Sequence, residues 1–168
     1  MNSLIRLAEY KNITFKGKNM NIKYVHTNII AKDWKKLAEF YVKVFGCKYK
    51  YPERDLKGEW LDRLTFLKNT HIRGVHLVLP GYEDNEPTIE IFQYNENRKN
   101  NIKKINTEGF GHIAFLVDDV EKCLLDIKEN GGSTVGEVVK GDIAGVGKIH
   151  VVYANDPEGN IIEIQKWE

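Results

Sequence analysis

The chain has 168 residues, 42% of them hydrophobic and 29% charged, an ordinary globular balance that suits one domain or two closely packed half-size modules. Lys and Arg number 25 against 24 Asp and Glu, a net charge of +1, so nothing electrostatic points to nucleic acid or to an anionic membrane surface. No apolar run approaches the roughly 18 residues of a membrane span. Arg6, Glu9, Lys11 and Lys16 interrupt every apolar stretch of the first twenty residues, so no signal peptide is expected and the cytoplasm is the expected location.

Residues 1–21 form an N-terminal extension whose structure the sequence leaves open. The first strand-like segment is Lys23 to Ile30 (KYVHTNII). Asp33 to Phe45 (DWKKLAEFYVKVF) then sets Trp34, Leu37, Tyr41, Val44 and Phe45 on one helical stripe, with Gly46 as the expected C-terminal stop. An excursion, 52–70, follows. Within it GEWLDRLTFL (58–67) carries Trp60, Leu61, Leu64 and Leu67 at helical spacing, either as a cap on a sheet or as a wall over a substrate. Thr88 to Tyr94 (TIEIFQY) is the closing strand of the first half. The segment 95–108 is the expected linker, and its basic run NRKNNIKK (97–104) reads as solvated rather than as a binding patch.

The second half repeats this order. His112 to Val117 (HIAFLV) is a strand, and a helix from about Asp119 to Asn130 follows. Asp118 is its expected N-cap, with Glu121 three residues on, and Val120, Cys123, Leu124 and Ile127 form its apolar stripe. The Gly-rich 141–147 (GDIAGVG) reads as a flexible connection. DPEGN (156–160) is a hairpin turn before the closing strand Asn160 to Trp167. The expected fold class is therefore α+β, two βαβββ modules over 22–94 and 109–168. Cys47 and Cys123 lie far apart, form no C-x-x-C motif and sit at apolar helix edges, as buried reduced thiols do.

Strand alternation singles out four residues. In the first and last strand of each half the β-branched or aromatic positions (Ile29; Ile89 and Ile91; Ile113, Phe115 and Val117; Ile162 and Ile164) share the face suited to packing under a helix. His26, Glu90, His112 and Glu163 fall on the opposite face, a His in the first strand and a Glu in the last strand of each half. Two carboxylates and two neutral imidazoles carry charge −2 and match one divalent cation, and an N/O donor set suits nickel, zinc, cobalt, iron(II) or manganese. Waters completing such a site can be displaced by two substrate oxygens. His71 and His76 read as structural or exposed. Arg54, Arg63 and Arg73, around the excursion, are candidates to hold a carboxylate or phosphate tail.

GHIAFLVDDVEKCLLDIKENGG followed by VYANDPEGNIIEIQ resembles the second module of the vicinal-oxygen-chelate superfamily, which includes glyoxalase I, methylmalonyl-CoA epimerase, extradiol dioxygenases, fosfomycin-resistance enzymes and bleomycin-binding proteins. KYVHTNIIAKDWKKLAEFYVKVFGC and PTIEIFQY resemble its first. The resemblance implies a half-open barrel of paired βαβββ modules around a metal, and a homodimer. It places His26, Glu90, His112 and Glu163 at ligand positions of glyoxalase I, with Glu90 and Glu163 as the catalytic carboxylates. No glutathione-binding set is recognisable.

The implied activity is a metal-dependent lyase or isomerase on a small molecule, of the lactoylglutathione-lyase or methylmalonyl-CoA-epimerase type. It would move a proton beside a carbonyl through a metal-bound enediolate. The alternatives are an extradiol-type iron dioxygenase, using His26, His112 and Glu163 with Tyr153 and His150 as acid/base groups, and a non-catalytic antibiotic-binding protein. Fosfomycin thiol transfer needs a potassium loop that 141–147 matches poorly.

Overall fold

The computed structural model describes residues 23–82, 87–98 and 103–168. The N-terminal extension and the centre of the 95–108 linker lie outside those residues. Among the described residues two sheets are present and neither closes into a barrel. The first is built from β1 (His26–Ile30), β2 (Lys48–Lys57), β3 (His71–Val78) and β4 (Thr88–Tyr94), in the order β1-β4-β3-β2, with β1 and β4 parallel. The second is built from β5 (Ile113–Leu116), β6 (Ser133–Thr134), β7 (Val139–Ile143), β8 (Gly147–Asn155) and β9 (Ile161–Trp167), in the order β5-β9-β8-β6, with β7 also on β8. Pieces β6 and β7 together fill the place that β2 fills in the first sheet. The two sheets thus share one topology, as the repeated strand–helix pattern predicts.

Helix α1 (Trp34–Phe45) crosses over between β1 and β2. Asp33 caps it by accepting from the Lys36 N–H at 3.2 Å, and Gly46 ends it at φ 69°, a left-handed conformation that a side chain disfavours. Helix α3 (Val120–Glu129) is capped by Asp119, which accepts from the Lys122 N–H at 2.9 Å. The cap is therefore one residue later than Asp118, which leaves Glu121 inside the first turn and forms no capping box. Between β2 and β3 lies α2 (Glu59–Thr65). The excursion is shorter than 52–70, because β2 runs on to Lys57 across an irregularity between Lys50 and Arg54. Pro52, which has no N–H to donate to a ladder, sits in that irregularity. Of the Trp60, Leu61, Leu64 and Leu67 stripe, only Leu61 is buried. The stretch 141–147 is also not a free connection: it forms the β7–β8 hairpin, with Gly141↔Ile149 and Ile143↔Gly147 in register.

One core joins the two halves. It contains Leu37, Phe40, Tyr41 and Phe45 of α1, Cys123, Leu124 and Ile127 of α3, and the apolar alternates Ile89, Ile91, Ile162 and Ile164. The Phe45 and Phe115 rings stack at 4.0 Å. The Tyr41 hydroxyl donates to Asp156 at 3.0 Å, and Glu158 accepts from the N–H groups of Lys32 and Asp33 at 2.6 and 2.8 Å. The DPEGN turn is thus both a β8–β9 hairpin and a clamp on the N-terminus of α1, where a carboxylate is electrostatically favoured. Cys47 and Cys123 are buried and unpaired, as expected, and burial raises their thiols to about 12 and about 11.

Because Ile89, Ile91, Ile162 and Ile164 face this shared core, alternation turns Glu90 and Glu163 to the opposite faces of their sheets. On the first sheet, α2 covers part of that face. Leu61 packs there with Ile72 and Phe92 in a second, small cluster.

Candidate metal centre

Each open face carries a His–Glu pair. On the first sheet, His26 Nε2 lies 3.4 Å from Glu90 Oε2; on the second, His112 Nε2 lies 3.3 Å from Glu163 Oε2. The carboxylates are mostly covered, with side-chain exposures of 13% and 14%, while the imidazoles at 38% and 33% reach toward solvent. The pairs correspond in the two sheets: Glu90 is on β4, beside β1, and Glu163 is on β9, beside β5.

The four residues do not converge within one chain. Among the described residues, the His, Cys, Asp and Glu side chains whose donor atoms all lie within 4.8 Å of one another are His26, His76 and Glu90. His112 and Glu163 stay on their own sheet.

His76, which strand reading gave as structural or exposed, joins His26 and Glu90 in this cluster. It sits on β3 directly opposite Glu90. Its Nε2 is 2.9 Å from Glu90 Oε1, and its Nδ1 is 3.0 Å from the hydroxyl of buried Thr88. Burial pushes its imidazole below the usual 6.5; the Glu90 carboxylate opposes that shift, while Arg54, His26 and Lys50 reinforce it. Asn28 Nδ2 donates to Glu90 Oε2 at 2.8 Å and orients the carboxylate. The signal available in the sequence was the polar His76 within HIRGVHLV, a strand that lies between β2 and β4.

The position matching His76 on the second sheet is Tyr153, opposite Glu163. Its ring lies 5.2 Å from that of His112, and its hydrogen bond to Glu163 raises its pKa above 10.0. His150 lies on the other face, 3.2 Å from Glu121 of α3, and so points away from the pair. His71 pairs with Asp55 at 2.8 Å, and Arg73 reaches the same carboxylate at 3.7 Å.

The donor chemistry fits a divalent ion. Donors of one zinc or nickel ion stand at about 2.0–2.2 Å from it, so two of them are at most about 4.4 Å apart. The His26, His76 and Glu90 atoms lie within 4.8 Å of one another, near that limit.

Two pockets flank these donors. One, of about 380 Å³, is walled by Trp60, Leu61 and Leu64 of α2 with Ile72, Phe92 and Glu90. The other, of about 260 Å³, is lined by Lys23, Lys50 and Arg54 beside His76 and Thr88. Lys50 and His76 are cross-strand partners, so one sheet row runs Asn28, Glu90, His76, Lys50. Gly74 next to this row lets the Phe92 ring lie across it. A Cβ at Gly74 would come within 2.1 Å of the Ile91 carbonyl oxygen and 2.4 Å of Phe92.

The sequence profile of the Glyoxalase/Bleomycin resistance protein/Dioxygenase superfamily matches residues 23–164. The chain belongs to that superfamily. Among its relatives, a lactoylglutathione lyase of Schizosaccharomyces pombe is 30% identical over 152 residues, which is 83% of this chain and 45% of that protein. The chain thus spans under half the length of that relative. A probable lactoylglutathione lyase of Vibrio parahaemolyticus is 27% identical over 144 residues, 86% of this chain and 90% of the relative. The structure of a glyoxalase family protein from Bacillus cereus superposes with a TM-score of 0.70 at 20% identity, covering 90% of this chain and 97% of its own. A glyoxalase I variant from Zea mays superposes at 0.59 and 24% identity, covering 85% and 44%. At these identities the structures show the fold, a half-open arrangement of sheets that agrees with the superfamily expectation.

Proposed function

We propose that this protein is a metal-dependent lyase or isomerase of the glyoxalase type, which moves a proton next to a carbonyl of a small substrate. The observation that carries the reading is the repetition of one His–Glu pair, at 3.4 and 3.3 Å, at the same topological place on both sheets. An isolated pair of this kind is ordinary in a strand; its recurrence on two open faces is not explained by packing. A divalent ion held by His26, Glu90, His112 and Glu163 supplies Lewis-acid polarisation of substrate oxygens. Glu90 and Glu163 are the proton carriers in this reading, each a carboxylate within hydrogen-bond reach of its neighbours and held near solvent-facing space.

Since the two pairs stay apart within one chain, the proposed site closes when the open first face of one copy meets the open second face of another. Exposed apolar residues support such a contact: Leu116, Val139 and Trp167 stand on the His112–Glu163 face, at 72%, 51% and 36% exposure. Lys23, Lys50 and Arg54 on one side of the donors and α2 on the other favour a carbonyl compound with an anionic group at one end and an apolar group at the other.

The test is an activity panel of methylglyoxal with several thiols, methylmalonyl-CoA and catechols, each with nickel, zinc, cobalt, iron and manganese. Proton-transfer turnover that disappears in Glu90→Gln and Glu163→Gln is the expected result. Oxygen uptake on catechol would overturn it in favour of the dioxygenase reading. That reading has Tyr153 beside His112 and Glu163 in its support, but it has lost His150 to the helix-facing side.

A further inference from the structure

We propose that the first sheet captures a divalent metal by itself, through a two-His, one-carboxylate set of His26, His76 and Glu90, with His76 on β3 as the third donor. The inference rests on the metal-dependent reading above. It goes further in making the first capture of the ion a property of the single chain, before His112 and Glu163 complete the site.

Three features of the geometry support it. The donor atoms lie within 4.8 Å of one another, close to the separation that one shared ion allows. The His26 and His76 rings stand 5.7 Å apart and nearly perpendicular at 84°, so each edge can be presented without stacking against the other. Each of two donors is also held from behind. Thr88 Oγ1 is 3.0 Å from His76 Nδ1, so when an ion takes the Nε2 lone pair in place of the Nε2–H that donates to Glu90, the Nδ1 proton has an acceptor. Asn28 Nδ2 holds Glu90 Oε2 at 2.8 Å. Such outer partners are what separate a ligand set from a chance cluster of side chains.

The second sheet lacks the third donor. Tyr153 occupies the place of His76, and a neutral phenol is a poor ligand beside imidazole and carboxylate. The two faces therefore differ in kind despite their shared topology. The first captures the ion, and the second offers one His, one Glu and a hydroxyl. N/O donors of this number and type take zinc, nickel, cobalt, iron(II) or manganese.

Zinc titration of the full chain by calorimetry, with the visible spectrum of the cobalt form as a second readout, tests the inference. The His112→Ala/Glu163→Ala double variant should still bind one zinc per chain, more weakly than the native chain because two completing ligands are gone. His76→Ala should lose more than the roughly 10- to 100-fold that loss of an outer partner costs, and Thr88→Val should fall within that range. Long-range ¹⁵N NMR of the native protein removes any dependence on variants: the His76 Nε2 resonance should move on zinc addition together with that of His26. An unmoved His76 Nε2, zinc lost in the double variant, or zinc retained by His76→Ala overturns the inference. If the double variant loses zinc while His76→Ala keeps it, the four-residue reading stands and only this one falls. If the native chain binds no divalent ion at all, both fall.

Discussion

Replacing Tyr41 by Phe removes one oxygen and leaves the ring contacts with Phe40, Phe45 and Phe115 in place. What is lost is the 3.0 Å hydrogen bond from a buried hydroxyl on α1 to the Asp156 carboxylate of the β8–β9 turn. A hydrogen bond to a charged group contributes about 1.5–3 kcal/mol. Asp156 is not orphaned, because Oδ1 still accepts from the Glu158 and Asn160 N–H groups at 2.9 Å, and Oδ2 from Asn160 Nδ2 at 2.8 Å. The lower part of the range, about 1.5–2 kcal/mol, is therefore expected. For a chain of this size that corresponds to a fall in melting temperature of about 3–8 °C.

The pH dependence gives a second check. Burial raises the Asp156 pKa above 3.8, and the Tyr41 hydroxyl works against that rise by stabilising the ionised form. A raised folded pKa means that the stability Asp156 contributes is fully present below its unfolded value and is lost as pH rises through the folded value. Without the hydroxyl that loss is larger, so the Tyr41→Phe deficit should be greatest at neutral pH and smaller in acid. The assay is thermal unfolding followed by calorimetry at several pH values. An unchanged melting temperature, or a deficit that grows in acid, would refute the view that this contact ties the two halves together.

Gly74→Ala should destabilise by about 1–3 kcal/mol through overpacking, since the added methyl meets the Ile91 carbonyl oxygen at 2.1 Å; a denaturant midpoint equal to the native one would contradict the close approach. Asp62 accepts from the Asn69 and Thr70 N–H groups at 2.9 and 2.7 Å, and these bonds hold its pKa below 3.8. The stability it lends is present above the unfolded value and lost as pH falls through the folded one. The two amide resonances should therefore shift at a lower pH than an ordinary aspartate titrates, and not at all in Asp62→Asn. Cys47 and Cys123, with thiols raised to about 12 and about 11, should resist thiol reagents at neutral pH until the protein is denatured; rapid labelling of the native chain would show that either thiol is accessible.

Much of the fold was legible along the chain. The helical stripes of α1 and α3, the glycine after α1, and the DPEGN turn are local features whose cause lies within a few residues. Alternation sufficed to set Ile89 and Ile91 against Glu90, and Ile162 and Ile164 against Glu163, because neighbouring side chains in a strand must point to opposite faces. The misreadings were local as well. An aspartate one place on makes the cap of α3, since Asp118 and Asp119 are chemically equal candidates and only the backbone geometry separates them. The Gly-rich 141–147 resembles a loop by composition, yet it pairs with β8 through backbone groups that composition does not reveal.

By itself the sequence determined which face of each strand carries His26, Glu90, His112 and Glu163, and the family to which that repetition belongs. Tertiary structure alone decided which of those residues meet. His76 lies opposite Glu90 because β3 pairs with β4 after an inserted helix, a register that depends on contacts between distant segments rather than on any local period. The separation of the two His–Glu pairs has the same origin. Phe45 stacking on Phe115 and Tyr41 bonding Asp156 pack the helix-covered faces together, and that packing turns both faces that carry the His–Glu pairs outward.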